Sequence, residues 1–358
     1  MKRTMNYALI MKIVIRLAAG LAIVAAAILV GALVLISFAP SRALKPQDVF
    51  GFKHLAERAK PNDIPAPLFY RARDGEQLAY RFYDSKSDLI LIFVHGSDYH
   101  GGGYDYLARS LSSKGFAKVY LPNLRGHYLS GSTRGDVKYL GQLEDDIADL
   151  IAMIRAKGET GPIILGGHSS GGGFAIRFAG GKHGRLAAGY LLLTPVLLPP
   201  APTYRSTPTV KAATSANQTA GWATTDVPRI IGLTILNAFG ITWFNGLPIV
   251  WFNKPKEYLD GTETLVYSYR LDLSMHPRFN YGRDIAAMGD NVLLMVGADD
   301  EQNYPDAYAP LFARFDPKAK VIVLPRVNHM GIIDNAEMLD LAGQWLSKVA
   351  DARATHSP

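Results

Sequence analysis

Six short apolar segments, each followed by a stretch of helical pattern, constrain the fold of this chain more than any other feature. They are LILIFV at 89–94, KVYL at 118–121, PIILGG at 162–167, GYLLL at 189–193, VLLMVG at 292–297 and VIVLP at 321–325. Short apolar runs rich in β-branched residues, alternating with helices, are typical of parallel strands that are buried on both faces. The predicted fold class is therefore α/β, a mostly parallel sheet with helices on both faces.

Two helices and a hairpin complete the predicted core. Apolar residues recur at helical spacing from Leu143 to Lys157 and from Asn335 to Ala350. Asp74-Gly75 separates two runs of alternating apolar and polar residues, which predicts a β-hairpin. We place the core at 67–195 and 265–350, with an insertion at 196–264.

The N-terminal region predicts a membrane element. Residues 17–38 carry no charge, and 22 helical residues span about 33 Å, enough for the hydrocarbon core. A cleaved signal peptide is the competing interpretation, but its apolar part usually has about 7 to 15 residues, and Pro40 spoils the obvious cleavage site after Ala39. We predict a basic segment at 1–16, a transmembrane helix at 17–39 and a linker at 40–66 with one short helix near 46–59. We expect the N-terminus in the cytoplasm and the body outside, in the periplasm if the source is bacterial.

Charge and cysteine content exclude several classes of function. The formal net charge is +7, and four of the positive charges precede residue 17, which leaves +3 for the rest of the chain. So small an excess does not indicate a nucleic-acid partner. The chain has no cysteine, so disulfides, thiolate nucleophiles and cysteine-bound metals are excluded.

The run GGHSSGG at 166–172 follows the third apolar segment and opens a helical stretch. It fits G-x-S-x-G, the strand-to-helix elbow that strains a serine backbone and exposes its hydroxyl, here that of Ser169. A glycine-rich turn without chemistry fits the pattern too. A phosphate cradle fits less well, because no Lys-Ser or Lys-Thr follows the glycines.

A serine nucleophile needs a base, and the base needs a group that orients it. The fifth apolar segment is followed by Asp299-Asp300-Glu301, and the sixth by a loop that contains His329. Parallel strands end at one edge of the sheet, so these side chains and Ser169 can meet there. The chain order, serine, acid, histidine, is that of α/β-hydrolases.

Further motifs support a resemblance over about 67–348. His95-Gly96-Ser97-Asp98-Tyr99-His100 with Tyr104 matches H-G-x-x-x-H-x-x-x-Y, and 123–130 resembles D-x-R-G-H-G-x-S, with Asn123 and Tyr128 as departures. The chain thus resembles the α/β-hydrolases, and within them the monoacylglycerol lipase and lysophospholipase-like group, which includes serine aminopeptidase-type members.

The resemblance implies specific roles. Ser169 would be the nucleophile, His329 the base and Asp300 the orienting acid, since the group's pattern is G-x-x-D from Gly297; Asp299 and Glu301 are the other possible acids. The backbone N–H groups of Ser97 and Ser170 would form the oxyanion hole. His95, Gly96 and His100 are assigned to the substrate-binding loop. No metal site is predicted, because the histidines lack ligand spacing, and no cofactor is expected.

The insertion is predicted to be a helical cap. It contains a second apolar run at 230–252, but a crossing there would separate Ser169 from His329 across the bilayer. Trp243, Phe244, Trp251 and Phe252 are predicted to line an acyl pocket or to rest on the membrane; a role as the cap's own core is equally open.

These features predict a membrane-anchored serine hydrolase that cleaves the ester of a lipid or other lipophilic acyl substrate. A peptidase or thioesterase with the same triad remains an alternative, as does a non-catalytic membrane-anchored binding protein. The sequence does not indicate an oligomeric state.

Overall fold

Eight strands form one sheet in the computed structural model, which describes residues 7–37, 63–205 and 222–354. The strands of the chain are β1 (Leu68–Arg71), β2 (Gln77–Tyr83), β3 (Ile90–Val94), β4 (Lys118–Pro122), β5 (Ile163–His168), β6 (Gly189–Leu193), β7 (Ala223–Thr225), β8 (Pro248–Phe252), β9 (Val266–Ser268), β10 (Val292–Gly297) and β11 (Lys320–Leu324). The sheet order is β1-β2-β4-β3-β5-β6-β10-β11. β2 is antiparallel to β1 and β4, and all pairs from β4 to β11 are parallel.

Helices cover both faces of this sheet. The α-helices of the described residues, not all of which lie on the sheet, are α1 (Tyr7–Ser37), α2 (Asp105–Ser113), α3 (Gln142–Ala156), α4 (Ser170–Ala179), α5 (Val227–Ala238), α6 (Tyr269–Ser274), α7 (Tyr281–Ala286), α8 (Tyr308–Phe315) and α9 (Ala336–Ala354). β3 illustrates why its sequence is continuously apolar. Ile90, Ile92 and Val94 belong to one buried cluster, whereas Leu91 and Phe93 belong to the cluster on the opposite face.

The predicted fold class is confirmed. The six apolar segments are β3, β4, β5, β6, β10 and β11, each within one residue of its predicted bounds. The hairpin around Asp74-Gly75 is formed by β1 and β2, in which Arg71 pairs with Gln77. The two predicted core helices are α3 and α9.

The N-terminal helix α1 has 31 residues, which corresponds to a length of about 46 Å, and an 18-residue window within it has a mean hydropathy of 2.8. Within the described residues it is the one helix long and apolar enough to cross a membrane. Near its C-terminal end, Ala32 and Ile36 are buried, and Arg229 Nε of α5 donates to the Ile36 carbonyl at 3.3 Å. Most of the predicted linker, including the short helix near 46–59, lies outside the described residues.

The cap lies between β6 and β10. Its described part contains α5 and an antiparallel sheet in the order β7-β8-β9, so helices are only part of its architecture, and with β9 it extends beyond residue 264 into the range assigned to the core. The run at 230–252 does not form one long helix. It is divided between α5 and β8, whose sequence PIVWF has the β-branched and aromatic residues that strands favour.

Candidate active site

Ser169 stands alone between a strand and a helix. β5 ends at His168 and α4 begins at Ser170. Ser169 has φ 56° and ψ −125°, and positive φ is costly for a residue with a side chain. Its N–H donates to the Leu193 carbonyl at 3.0 Å, and its own carbonyl accepts from the Val196 N–H at 3.0 Å. These bonds to the end of β6 and the chain beyond it stabilise the strained elbow.

The flanking glycines are required by close backbone packing. A Cβ atom on Gly171 would lie 2.4 Å from the carbonyl oxygens of both Val94 and His95. A Cβ atom on Gly167 would lie 2.3 Å from the Gly171 backbone. Any side chain at either position would push the start of α4 away from β3 and displace Ser169.

The structure brings Ser169, His329 and Asp300 into one hydrogen-bonded line. His329 Nε2 is 3.0 Å from Ser169 Oγ, and His329 Nδ1 is 3.0 Å from Asp300 Oδ2. Because the carboxylate can only accept when ionised, Nδ1 carries the proton and Nε2 is left to accept from the serine hydroxyl. His329 and Asp300 are buried, with 2% and 3% of their surface exposed.

Asp300 sits among hydrogen-bond donors. Its Oδ1 accepts from the backbone N–H groups of Gln302 and Asn303, each at 2.8 Å, and its Oδ2 accepts from the Thr194 hydroxyl as well as from His329. Burial alone would raise the pKa of Asp300, but the charge and hydrogen bond of His329, with the other donors, hold this pKa below its usual range. The carboxylate therefore stays ionised.

The other two acidic residues occupy different positions. Glu301 Oε2 accepts from the backbone N–H of His329 at 3.0 Å, and burial raises the pKa of Glu301. Asp299 is partly exposed. Of the three acids, Asp300 is the one whose carboxylate hydrogen-bonds to the His329 ring.

Thr194 and Asn303 were not identified from the sequence. Thr194 follows β6 with φ 44°, and Asn303 Nδ2 donates to Thr194 Oγ1 at 3.3 Å. Both side chains support Asp300. The signal that could have found Thr194 is its place directly after a predicted strand, at the same sheet edge as the elbow.

Residues 95–100, which we call the oxyanion loop, pass beside Ser169. Ser97 Oγ donates to Ser170 Oγ at 2.9 Å, which joins the loop to α4. Among residues 63–205 and 222–354, no group accepts a hydrogen bond from the backbone N–H of Ser97 or Ser170. Two such donors beside a serine hydroxyl are the arrangement that stabilises an oxyanion.

His95 orients the peptide that carries the Ser97 N–H. Its Nε2 accepts from the Leu124 N–H at 3.0 Å, so its Nδ1 carries the proton and donates to the Gly96 carbonyl at 2.8 Å. In a trans peptide the C=O and N–H bonds point in opposite directions. The Ser97 N–H therefore points away from the His95 ring. Burial holds the pKa of His95 well below its usual value, which keeps the ring neutral.

His168 forms part of a buried chain of hydrogen bonds between Gly96 and His329. The Gly96 N–H donates to Tyr104 Oη at 2.9 Å, and Tyr104 donates to His168 Nδ1 at 2.9 Å. His168 Nε2 donates to the His329 carbonyl at 2.9 Å. Burial, with the neighbouring His329, lowers the pKa of His168 to about 3, so the ring is neutral.

His100 and Asn123, the first departure from the motif, make local hydrogen bonds. His100 Nδ1 accepts from the Gly102 N–H at 3.1 Å. Asn123 accepts from the Gly101 N–H at 2.8 Å and donates to the Tyr128 carbonyl at 2.6 Å. An aspartate could not make the second bond when ionised, which accounts for asparagine here. Within the described residues, no group of three or more potential ligands could hold a metal ion.

The four predicted cap aromatics do not form one cluster. Trp243 is 86% exposed and Phe244 is 36% exposed. Trp251 and Phe252 are half-buried on β8, where the Phe252 ring lies 4.8 Å from the Tyr267 ring. Phe252 thus packs within the cap sheet, and Trp243 projects from the cap surface.

A mostly parallel eight-stranded sheet, with a strained serine after β5 and acidic and histidine loops after β10 and β11, defines the α/β-hydrolase class of protein. A family model confirms the class: the alpha/beta hydrolase family matches residues 91–341, and the chain belongs to that family.

The relatives agree with the resemblance to monoacylglycerol lipases. The chain is 28% identical over 116 residues to a monoacylglycerol lipase of Mycolicibacterium smegmatis, covering 32% of this chain and 41% of the relative. It is 29% identical over 155 residues to human monoglyceride lipase, covering 40% and 50%. The chain thus spans half or less of the length of these curated relatives. Among solved structures, a bacterial membrane phospholipase A aligns with a TM-score of 0.52 and 15% identity, over 96% of this chain and 98% of that one.

Proposed function

We propose that the chain is a membrane-anchored serine hydrolase that cleaves the carboxylic ester of a lipid or another lipophilic acyl substrate. The observation that carries the proposal is the line Ser169–His329–Asp300, with both hydrogen bonds at 3.0 Å. Ser169 lies on a strained elbow beside the Ser97 and Ser170 N–H groups. Together with His329 and Asp300, these groups can act as the nucleophile, base, orienting acid and oxyanion hole that acyl transfer needs.

The reaction has two steps. Ser169 Oγ attacks the ester carbonyl carbon while His329 Nε2 takes its proton, and the Ser97 and Ser170 N–H groups stabilise the negative oxygen. His329 then gives the proton to the departing alkoxide, and the acyl group remains bonded to Ser169 Oγ as an acyl-enzyme. Water repeats the sequence with His329 as base, releasing the acid and restoring Ser169. Asp300, ionised throughout, stabilises the transient imidazolium.

A lipophilic acyl substrate is supported by the names of the two curated relatives and by the apolar cap. Both relatives are described as lipases for monoacylglycerols. The candidate contacts for an acyl chain or for the lipid surface are the half-buried Trp251 and the exposed Trp243 and Phe244, whereas Phe252 packs within the cap sheet.

Membrane anchoring is supported by how α1 contacts the body. If the N-terminal segment were cleaved as a signal peptide, the body would lose its packing against the buried Ala32 and Ile36. This packing is close at Gly232, where a Cβ atom would lie 2.7 Å from the Ala32 carbonyl. The alignment with the membrane phospholipase A covers 96% of this chain. The uncovered part is shorter than the 31 residues of α1, so part of α1 is included in the alignment. We propose a retained span with the N-terminus in the cytoplasm and the body on the other side.

The central experiment measures hydrolysis of p-nitrophenyl esters from C2 to C16 and labelling by a fluorophosphonate probe. We expect both in the full chain, with a preference for about C8 and longer because each buried methylene adds binding energy. Ser169→Ala should abolish both, whereas Ser113→Ala, a change at an exposed serine at the end of α2, should change neither. Labelling that persists in Ser169→Ala would reject the assignment.

The same panel separates the alternatives. Faster turnover of aminoacyl amides or acyl thioesters than of esters would favour a peptidase or thioesterase with the same site. An inert wild-type chain that no probe labels would favour a non-catalytic binding protein. Intact mass and carbonate extraction of membranes test the anchor: loss of residues 1–39 from the mature protein would refute it, and protease protection of a C-terminal tag tests the sidedness.

A further inference from the structure

Asp98 of the oxyanion loop is held by the cap. Its N–H donates to Tyr267 Oη of β9 at 2.9 Å, and its carbonyl accepts from the Thr264 N–H at 3.2 Å. Asp98 has φ 68°, a left-handed conformation that costs energy for a residue other than glycine. The two bonds from the cap therefore stabilise a turn directly beside Ser97.

The Tyr267 hydroxyl is oriented by a neutral histidine of the core. His127 Nδ1 lies 3.2 Å from the Arg125 carbonyl, which can only accept, so Nδ1 carries the proton. Its unprotonated Nε2, 2.5 Å from Tyr267 Oη, accepts the tyrosine proton. Burial lowers the pKa of His127 to about 4, which keeps this tautomer neutral. The lone pairs of the Tyr267 oxygen are thereby available to the Asp98 N–H.

Charge adds a second contact between cap and loop. The Asp98 carboxylate is fully buried, and within the described residues neither of its oxygens has a hydrogen-bond partner. Lys254 Nζ, at the end of β8, lies 3.7 Å from Asp98 Oδ2 and 2.8 Å from Glu263 Oε1. Burial raises the pKa of Asp98 to about 7 although Lys254 lowers it, so near neutral pH the carboxyl is only partly ionised, and the ionised form is attracted to Lys254 of the cap.

We propose that Tyr267 is a positioning residue of the oxyanion hole. When the cap sheet is packed on the core, its contacts with Asp98 hold the Ser97 N–H in the direction needed to bind the oxyanion. Asp98 is joined to Ser97 by the chain itself, and a displaced β9 would release the left-handed turn. The oxyanion donor would then lose its alignment although Ser169 and His329 stayed in place. This inference rests on the proposed hydrolase function and assigns the cap a part in transition-state stabilisation.

The test uses Tyr267→Phe in the full chain, which removes one oxygen and keeps the ring. Loss of a whole oxyanion donor costs about 10²- to 10³-fold in kcat; misalignment of one donor should cost about tenfold, with KM within about twofold. An alkyl trifluoromethyl ketone, whose adduct places an oxyanion in the hole, should bind more weakly by the same factor as kcat/KM falls. Active enzyme is counted by fluorophosphonate titration.

Tyr190→Phe is the matched control. Tyr190 is buried like Tyr267, and its hydroxyl donates to the Gly184 carbonyl at 3.1 Å. It lies on β6, away from the oxyanion loop. It should lower the melting temperature without changing kcat or ketone affinity. A Tyr267→Phe protein with wild-type kcat and ketone affinity would overturn the inference while leaving the hydrolase function intact.

Asp98→Asn provides a second route if Tyr267→Phe does not fold. It weakens the attraction to Lys254 and retains a residue that tolerates left-handed φ, so kcat should fall, less than for Tyr267→Phe, with KM preserved. Because Asp98→Asn keeps the backbone bonds to Tyr267 and Thr264, an unchanged kcat in this variant would overturn only the contribution of the Lys254 contact. A wild-type chain that neither hydrolyses esters nor reacts with the probe would instead remove the proposed function itself.

Discussion

Replacing Asp300 with asparagine tests the catalytic geometry most sharply, because the structure determines which way the new amide would face. Oδ1 of Asp300 accepts two backbone N–H groups at 2.8 Å. In Asp300→Asn the amide oxygen must stay at that position, so the NH₂ group replaces Oδ2 and faces His329 Nδ1. An NH₂ group donates, and His329 must then accept through Nδ1 and carry its proton on Nε2. In that tautomer Nε2 cannot take the proton of Ser169.

The expected loss is large. The variant loses the tautomer that can act as base and the negative charge that stabilises the buried imidazolium, and the same change in a serine triad costs about 10⁴ in kcat. At 1.36 kcal/mol per tenfold, this is about 5 kcal/mol of transition-state stabilisation. The two backbone bonds to the side-chain oxygen are retained, but Thr194 loses its acceptor at Oδ2, so we expect a folded variant with a lowered melting temperature.

The assay is steady-state hydrolysis of a medium-chain p-nitrophenyl ester, with the melting temperature measured on the same sample. Asp299→Asn is the matched control, since it makes the same chemical change at the adjacent position, outside the His329 ring contact, and it should keep wild-type kcat. A fall of less than tenfold in folded Asp300→Asn, or an equal fall in Asp299→Asn, would refute the assignment of Asp300 as the orienting acid.

Three further predictions concern the elbow and its surroundings. Gly171→Ala should lower kcat and destabilise the fold by about 1–3 kcal/mol, because the new Cβ would overlap two carbonyl oxygens at the end of β3; wild-type melting and activity would contradict this. His168 has a folded pKa of about 3 against an unfolded value near 6.5, so its contribution to stability is present above pH 6.5 and is lost as the pH falls toward 3, amounting to about 2 kcal/mol between pH 6.5 and 5. His168→Gln should therefore show a smaller drop in melting temperature from pH 7 to pH 5 than the wild type; equal drops would argue against the buried neutral ring. Asn123→Asp should destabilise the chain by about 1–3 kcal/mol in urea unfolding, although it restores the residue of the family pattern, because the bond to the Tyr128 carbonyl is lost; an unchanged midpoint would refute this explanation.

The sheet and the three aligned side chains were predictable because their signals are local. A strand buried on both faces must be continuously apolar, which is why β6 and β10 were placed to the residue. The glycines around Ser169 reflect steric contact with β3 that almost any side chain would violate. Once parallel strands are assumed, their common edge brings the later acidic and histidine loops to the serine without further information.

The supporting groups were not predictable because they depend on contacts between distant parts of the chain. Thr194 is an ordinary residue after a strand until the fold places it against Asp300, 106 positions away. Three-residue strands such as β7 and β9 have no periodicity of their own and exist through pairing with β8. The exposure of Trp243 likewise follows from how the cap folds, which its apolar sequence does not reveal.

The contact between α1 and α5 bears on how this protein should be produced. Deleting residues 1–37 to obtain a detergent-free sample would strip Ile36 and Ala32 from the groove at Gly232 and remove the carbonyl that Arg229 binds. In the shortened enzyme, helix α5 of the cap would lack its packing against α1. Kinetic constants measured on the shortened enzyme would be those of a protein with an altered cap. The full-length protein in nanodiscs is therefore the appropriate reference material.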